Sequence, residues 1–208
     1  MTQFTTAFGL AFAAMFPLIN PIGHAPMFYV LTRGDPADHR HRQALLASLY
    51  SALILVVALL LGHPILRFFG IDLNDLRIAG GLLIGRAAWG MLGNTSRITT
   101  GEHDAAEEKE DISLTPMATP ILAGPGAMSL AIGLVAYGRT GVDYAGYLAG
   151  FVVLGVITWV CLRYADVLVR VLGPNAVGAI NRILGFFILA IGVNLMVEGL
   201  RGSFFAGH

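Results

Sequence analysis

The feature that most constrains this chain is a series of long apolar stretches that lack charged residues. The clearest is Ala44–Gly62, which has no charged side chain. A helix that crosses a bilayer needs about 20 predominantly apolar residues. Over the whole chain 56% of residues are hydrophobic and 12% are charged, whereas a soluble domain is about 25% charged. A soluble fold of this length could not bury so much apolar surface, so the sequence predicts an integral membrane protein.

Six long apolar stretches follow one another along the chain. They are Phe4–Leu31, Ala44–Gly62, Leu76–Gly93, Thr115–Tyr137, Tyr144–Leu162 and Ile183–Val197. Five of them are uncharged, and Leu76–Gly93 contains Arg77 and Arg86. We therefore predict an all-α integral membrane protein with six transmembrane helices, forming a single transmembrane domain over residues 1–208. The first and fourth stretches contain several prolines and glycines, which predicts that these two helices are broken.

The distribution of Lys and Arg predicts the orientation. Cytoplasmic loops of membrane proteins carry an excess of these residues. One side would hold Arg33, Arg40, Arg42, Arg97, Lys109, Arg163, Arg170 and Arg182, and the other Arg67, Arg77, Arg139 and Arg201. This bias predicts a multi-pass membrane protein with both termini outside the cytoplasm. The formal net charge of zero gives no basic excess for nucleic acid, so the lipid bilayer is the expected partner.

An internal repeat suggests how the spans are organised. Pro17–Gly23 aligns with Pro120–Gly126, and Arg77–Gly80 aligns with Arg182–Gly185. Each unit has three spans, and an odd number forces the second unit to enter the membrane from the opposite side. We therefore predict two inverted three-helix repeats, at about 1–93 and 115–208, joined by an acidic loop at about 94–114. Broken helices at matching positions of such repeats are typical of a transporter's binding site.

The first break supplies the candidate binding residues Asn20, Pro21, Gly23 and His24. Pro21 has no N–H to donate, so helical hydrogen bonding is interrupted. Unpaired backbone groups at membrane depth are costly unless they are buried in protein or face water, which predicts a polar cavity or a ligand here. His24 can titrate near neutral pH. Its role is open between proton coupling and a neutral ring that is hydrogen-bonded to a freed carbonyl.

The second break supplies the candidate binding residues Gly124, Gly126, Ala127 and Met128. A half-helix that starts here would present its N–H groups and its positive dipole end, which attract a carboxylate without a basic side chain. Asn194 is a polar residue within the sixth span and is a further candidate for the same cavity.

The remaining charged and reactive residues limit the classes of function that are compatible with the sequence. Arg86 lies within the third span, where it either reaches towards the membrane surface or serves as a counter-charge in the cavity. Cys161 is the single cysteine and is expected to be a buried, unreactive side chain. The sequence lacks a phosphate-binding loop, paired cysteines and a metal-binding histidine motif. We expect no enzyme activity, no cofactor and no bound metal, although a coupling ion, H⁺ or Na⁺, is compatible with the pattern.

Several motifs together resemble the MarC family of bacterial inner-membrane proteins. They are Asn20-Pro21-Ile22-Gly23 with Pro26, Arg77–Gly81, the run from Pro116 to Ala127 that contains Ala123-Gly124-Pro125-Gly126, and Arg182 with Gly185 and Ile191–Val193. The resemblance covers nearly the whole chain. It implies six spans, an inner-membrane location and kinship with SnatA-type transporters of small neutral amino acids. His24 and Arg86 depart from what the family leads us to expect at their positions.

Three functions are compatible with the sequence. The first is a secondary transporter of small neutral amino acids or similar small solutes, and such a protein could form a homo-oligomer. The second is a membrane scaffold or regulatory protein without transport activity, with the acidic loop as its docking surface. The third is an efflux or channel-like protein for other small solutes.

Overall fold

The computed structural model describes residues 1–93, 111–138 and 140–205, and all regular secondary structure in these ranges is helical. The helices are α1 (Thr2–Ile19), α2 (Pro21–Leu31), α3 (Ala37–Phe68), α4 (Leu73–Leu92), α5 (Pro125–Gly133), α6 (Gly141–Arg163) and α7 (Ala165–Phe205). An irregular helical segment, Ser113–Leu122, precedes α5, and a short 3₁₀ turn, Leu134–Ala136, follows it.

Four stretches of the described residues are long and apolar enough to cross a membrane. They are Thr2–Leu31, Ala37–Phe68, Gly141–Arg163 and Asn175–Phe204. The predicted third span, α4, has a suitable length of 20 residues but carries Asp75, Arg77 and Arg86. The predicted fourth span is divided into short pieces. The prediction of an all-α integral membrane protein agrees with this architecture, while six spans in two inverted repeats remain a prediction.

The outward-facing side chains of the long helices are apolar. Along α3, Leu49, Leu53, Leu60 and Leu61 are exposed, and no charged residue lies between positions 43 and 66. Exposed leucines at this density are costly in water but are favourable in hydrocarbon. The surface of α3 is therefore suited to contact with lipid tails.

The first predicted break is present at Asn20. Helix α1 ends at Ile19, and Asn20 takes a left-handed conformation with φ 43° and ψ 61°. Asparagine tolerates this region better than most residues. Helix α2 then begins at Pro21, where a missing N–H and a fixed φ suit the first helical position. The proline therefore starts a second helix and does not merely bend the first.

The second predicted break lies between Ser113 and Pro125. Thr115 and Thr119 have extended backbone angles, and the peptide bonds that follow them, to Pro116 and Pro120, are cis. The segment keeps wide-turn hydrogen bonds, including Ala123 N–H to the Ala118 carbonyl at 2.8 Å. Helix α5 begins at Pro125, so both broken segments restart with proline at the first helical position.

Most helices pack on partners that are distant in sequence. Helix α4 packs along α7, α6 packs on α1 and α3, α2 packs on α7 and α6, and α3 also packs on the irregular segment and α5. Small residues allow close approach between membrane helices. A Cβ at Gly146 of α6 would lie 2.7 Å from Ala7 Cβ of α1, and one at Gly81 of α4 would lie 2.5 Å from the Gly192 carbonyl oxygen of α7.

A buried glutamine of α3 is hydrogen-bonded to the residues just before the irregular segment. Gln43 of α3 accepts a hydrogen bond from Ile112 N–H at 3.2 Å and donates one to Asp35 at 2.7 Å. Beside it, burial tends to raise the pKa of the Asp111 carboxyl, but hydrogen bonds from Ser113 and the charges of His39 and Arg42 lower that pKa overall. Most of the predicted acidic loop at 94–114 lies outside the described residues.

Candidate solute-binding site

At the first break, the side chain of Asn20 caps the helix that follows. This residue is 1% exposed, and its Oδ1 accepts a hydrogen bond from Gly23 N–H at 3.0 Å. The bond caps α2, because the first N–H groups of a helix have no partner within it. The His24 N–H is bonded to the Asn20 carbonyl at 3.0 Å. Asn20 therefore satisfies two donors of the first turn of α2.

His24 also takes part in the break. Its Nδ1 lies 2.7 Å from the carbonyl oxygen of Ile19, the last residue of α1. A ring nitrogen that faces a carbonyl oxygen carries a proton, so Nδ1 is the donor. This contact agrees with the interpretation of His24 as a ring bonded to a freed backbone carbonyl. Proton coupling through His24 stays a prediction.

A residue that the sequence analysis missed completes this cluster. Asn181 of α7 accepts a hydrogen bond from Asn20 Nδ2 at 3.1 Å, across 161 positions of sequence. It directly precedes Arg182, which the repeat alignment had singled out. A polar side chain next to that match, at the edge of an apolar stretch, was the available signal.

The second break is not capped by a side chain. The N-cap residue of α5 is Gly124, which has no side chain to accept a hydrogen bond from the first N–H groups of the helix. The Met128 N–H is bonded to the Gly124 carbonyl at 3.0 Å, which leaves Gly126 and Ala127 as the donors that Gly124 cannot serve. Gly124 and Gly126 are half-buried and Ala127 is buried. The N-terminus of α5 is therefore sheltered, and its first donors lack the cap that Asn20 provides in the first break.

The surroundings of Gly126 differ from what the sequence predicted. The small size of Gly126 was expected to let a ligand approach the backbone, but a Cβ at this position would clash with Ile84 of α4. Further along α5, Ser129 Oγ donates to the Leu76 carbonyl of α4 at 3.0 Å. One side of α5 is thus closely packed on α4, and a ligand would have to reach its N–H groups from the helix end.

The two broken segments share neighbours in the core. Helix α1 packs on α5 and on the irregular segment, and α2 packs on the irregular segment and on α7. Both breaks therefore lie among helices that pack on one another. Asn20, Pro21 and Gly23 are buried at the first break, and Ala127 is buried at the second.

Two predicted site residues lie on the outer surface. Arg86 shares an exposed face of α4 with Leu82 and Trp89, opposite the buried Ile84 and Ala88. This position agrees with a side chain that reaches along the outside of the helix. Asn194 is also exposed, and its Nδ2 donates to Glu198 Oε1 at 3.2 Å. The structure does not bring either residue to the breaks.

Glu198 of α7 contacts polar side chains on several elements. Its two carboxylate oxygens accept from the Tyr137 hydroxyl at 2.9 and 2.8 Å. Arg77 Nε of α4 lies 4.0 Å from Glu198 Oε2 and is itself buried without a hydrogen-bond partner. Glu198 therefore connects α4, α7 and the turn that follows α5.

A cavity of about 400 Å³ lies beside Tyr137 at the first turns of α1. It is lined by Thr2, Gln3, Thr6, Ala7, Leu10, Tyr137, Asp143 and Tyr147. The carboxylate of Asp143 caps α6 by accepting hydrogen bonds from Thr140, and it also accepts one from Gln3. Among the described residues, no group of three or more His, Cys, Asp or Glu side chains could hold a metal ion.

The arrangement can be compared with known proteins. A family model described as "MarC family integral membrane protein" matches residues 5–204. This chain belongs to the MarC family. The match confirms the resemblance that the motifs at the two breaks carried. No solved structure matches the chain.

MarC-family relatives cover nearly the full length of the chain. It is 36% identical over 200 residues to the UPF0056 membrane protein YhcE of Escherichia coli (strain K12), covering 93% of this chain and 91% of the relative. It is 33% identical to the UPF0056 membrane protein YvbG of Bacillus subtilis (strain 168), covering 93% of each. A Citrobacter koseri relative, 32% identical over 96% of each chain, is named UPF0056 inner membrane protein MarC.

Proposed function

We propose that this MarC-family protein is a secondary transporter of small neutral amino acids or similar small solutes across the inner membrane. The observation that carries the proposal is the sheltered N-terminus of α5. Its first turn begins at Pro125, and the N-cap residue, Gly124, has no side chain that could cap Gly126 or Ala127. In a protein surrounded by lipid, such donors need a partner from protein, water or a ligand.

A carboxylate is the ligand group that suits this helix end. Backbone N–H groups and the positive end of the helix dipole both favour an anion, by about 0.3–1 kcal/mol for one helix end near the surface and by more when it is partly buried. The other break offers the opposite polarity. Pro21 has no N–H to donate to the Pro17 carbonyl, so this carbonyl near the C-terminal end of α1 is an acceptor suited to an ammonium group. Together the two helix ends match a zwitterion.

The helix packing supports two inverted repeats. The broken segment of each half packs on the other half: α1 and α2 pack on α6, while the irregular segment and α5 pack on α3. The last helices of the two halves, α4 and α7, pack on each other. A two-fold axis in the membrane plane would generate this exchange of partners. Transporters with such repeats bind their solute between the halves.

The location and orientation follow from the same features. The apolar surface of the long helices and the name of the Citrobacter relative support an inner-membrane location. The excess of Lys and Arg around the connections after α2 and α6, with Arg33, Arg40, Arg42, Arg163 and Arg170, supports periplasmic termini.

Uptake by the purified protein in liposomes tests the proposal. We expect radiolabelled alanine or glycine to accumulate in proteoliposomes under an imposed Na⁺ or proton gradient, and unlabelled alanine to compete with it. Protein-free liposomes and dissipation of each gradient are the controls. Monodisperse, reconstituted protein that accumulates neither amino acid under either gradient would rule out the proposed substrate class and would favour a scaffold or a carrier of other solutes.

A further inference from the structure

We propose that Asn181 is a positioning residue of the solute site, because it holds Asn20 and thereby sets the geometry of the first break. The inference rests on the proposed function, since it assigns Asn181 a role in solute affinity. Asn181 lies in the last helix, whereas the break that it would control lies between the first two.

The first support is the hydrogen-bond chain that ends at α2. Asn20 Nδ2 donates to Asn181 Oδ1 at 3.1 Å, and Asn20 Oδ1 accepts from Gly23 N–H at 3.0 Å. Both ends of the Asn20 amide are therefore occupied, one by the helix that it caps and one by α7. Because an amide group is planar, fixing its nitrogen also fixes its oxygen. Asn181 thus determines where the cap of α2 points.

The second support is the space kept free for this contact. A Cβ at Gly23 would clash with Asn181 Oδ1 and with both polar atoms of the Asn20 amide. The absence of a side chain at Gly23 is what allows the two asparagines to meet over the first turn of α2. Asn20 is buried and adopts a left-handed conformation, which a neighbouring structure has to hold in place.

The third support is a corresponding hydrogen bond between helices at the second break. Ser129 of α5 donates to the Leu76 carbonyl of α4 at 3.0 Å, and a Cβ at Gly80 of α4 would clash with Ser129. Leu76 directly precedes Arg77, just as Asn181 directly precedes Arg182, and these two arginines are aligned in the repeat. Each broken segment is therefore tied to the last helix of the opposite half at the same repeat position.

A double-mutant cycle tests whether Asn181 acts through Asn20. Asn20→Ala, Asn181→Ala and the double variant would be compared for alanine uptake in proteoliposomes and for thermal unfolding. We expect Asn181→Ala to raise KM by about threefold to tenfold, the range for loss of one neutral hydrogen bond, with little change in maximal rate. The double variant should be no worse than Asn20→Ala, because Asn181 acts through that residue.

Two further variants separate positioning from simple stability. Asn181→Asp keeps an acceptor oxygen for Asn20 Nδ2, so we expect it to restore KM to about that of the wild type. Asn175→Ala changes an exposed asparagine of the same helix and should leave KM unchanged. An unchanged KM in Asn181→Ala, or effects that multiply in the double variant, would overturn the positioning role while leaving transport intact.

Failure of the proposed function would give a different result. A wild-type protein without alanine uptake would overturn both the transport proposal and the role of Asn181 in solute affinity. In that case the melting temperatures of the same four proteins would still show whether the two asparagines are coupled, since non-additive destabilisation requires their contact.

Discussion

At the scale of single residues, the breaks depend on a few side chains with specific geometry. Asn20 combines three properties that no other residue type supplies together at this position. It tolerates a left-handed backbone, its oxygen caps α2, and its nitrogen reaches Asn181. In the second break Gly124 stands where a capping side chain could be. Both breaks restart with a proline, but Asn20 is left-handed whereas Gly124 is extended, and the N–H groups of the two new helices are satisfied in different ways.

The close fit at Gly23 leads to a stability prediction. Gly23→Ala places a methyl group against Asn181 and the Asn20 amide, and overpacking of this kind costs about 1–3 kcal/mol. We expect a lower melting temperature in detergent, measured by scanning fluorimetry. Gly9→Ala in α1 is the matched control, because nothing lies within 4 Å of a Cβ there. Equal effects of the two substitutions would contradict the packing described for the first break.

Arg86 leads to a prediction of the opposite kind. Its side chain is on the exposed face of α4 with Leu82 and Trp89, so Arg86→Leu should preserve both folding and alanine uptake. Arg77→Leu serves for comparison, because Arg77 is half-buried, is hydrogen-bonded to Asn74 and lies beside Glu198. We expect only the Arg77 variant to unfold at a lower temperature. Loss of uptake in a well-folded Arg86→Leu protein would instead indicate a counter-charge in the cavity.

At the scale of elements, α5 is the helix on which both packing and the proposed binding depend. It is short, it starts at a proline after a break, and it lies between α3 and α4. Its far end leads into Tyr137, whose hydroxyl is bonded to Glu198 of α7. If a solute binds at the start of α5, these contacts can transmit a shift of the helix to the surrounding helices.

Two glycines of α5 allow its packing to be tested within one helix. Gly126→Ala would push a methyl group into Ile84 of α4, whereas Gly133→Ala meets nothing within 4 Å. We expect Gly126→Ala to lower the melting temperature and to reduce alanine uptake. Gly133→Ala should be neutral or stabilising by up to about 1 kcal/mol, because alanine favours the helix over glycine. The prediction fails if both variants behave alike.

At the scale of the whole molecule, packing between the two predicted repeats is the main organising feature. Each broken segment packs on the middle helix of the other predicted repeat, and α4 packs on α7. This arrangement leaves few contacts that belong to one half alone. The two halves are therefore expected to fold together and not as independent units.

The orientation of the molecule can be tested directly. Eight of the twelve loop Lys and Arg residues fall on one predicted side, so both termini are expected in the periplasm. Alkaline phosphatase fused after Phe205 should be active, and green fluorescent protein fused there should be dark. A fusion in the connection between α2 and α3 should give the reverse. A fluorescent C-terminal fusion would require either the opposite orientation or an odd number of spans.

The sequence by itself determined the class of the protein and the position of both breaks. Membrane insertion follows from composition and from the length of apolar stretches, which are local properties. Proline alone does not set a break, because Pro17, Pro26 and Pro64 lie inside α1, α2 and α3. At both breaks the proline follows a residue that favours the end of a helix, Asn20 before Pro21 and Gly124 before Pro125. The predicted breaks near Asn20 and Gly124 were therefore readable without any tertiary information.

Only the tertiary structure decided which side chains meet. Asn181 lies 161 positions from Asn20, and no local pattern marks a contact between helices so far apart in the chain. Asn194 was the polar residue of the sixth apolar stretch that the sequence indicated, but its position on α7 turns it outward to Glu198. The difference arises from the rotation of α7 against its neighbours. That rotation is set by the close packing of small residues such as Gly81 and Gly192 between α4 and α7, which depends on both helices at once.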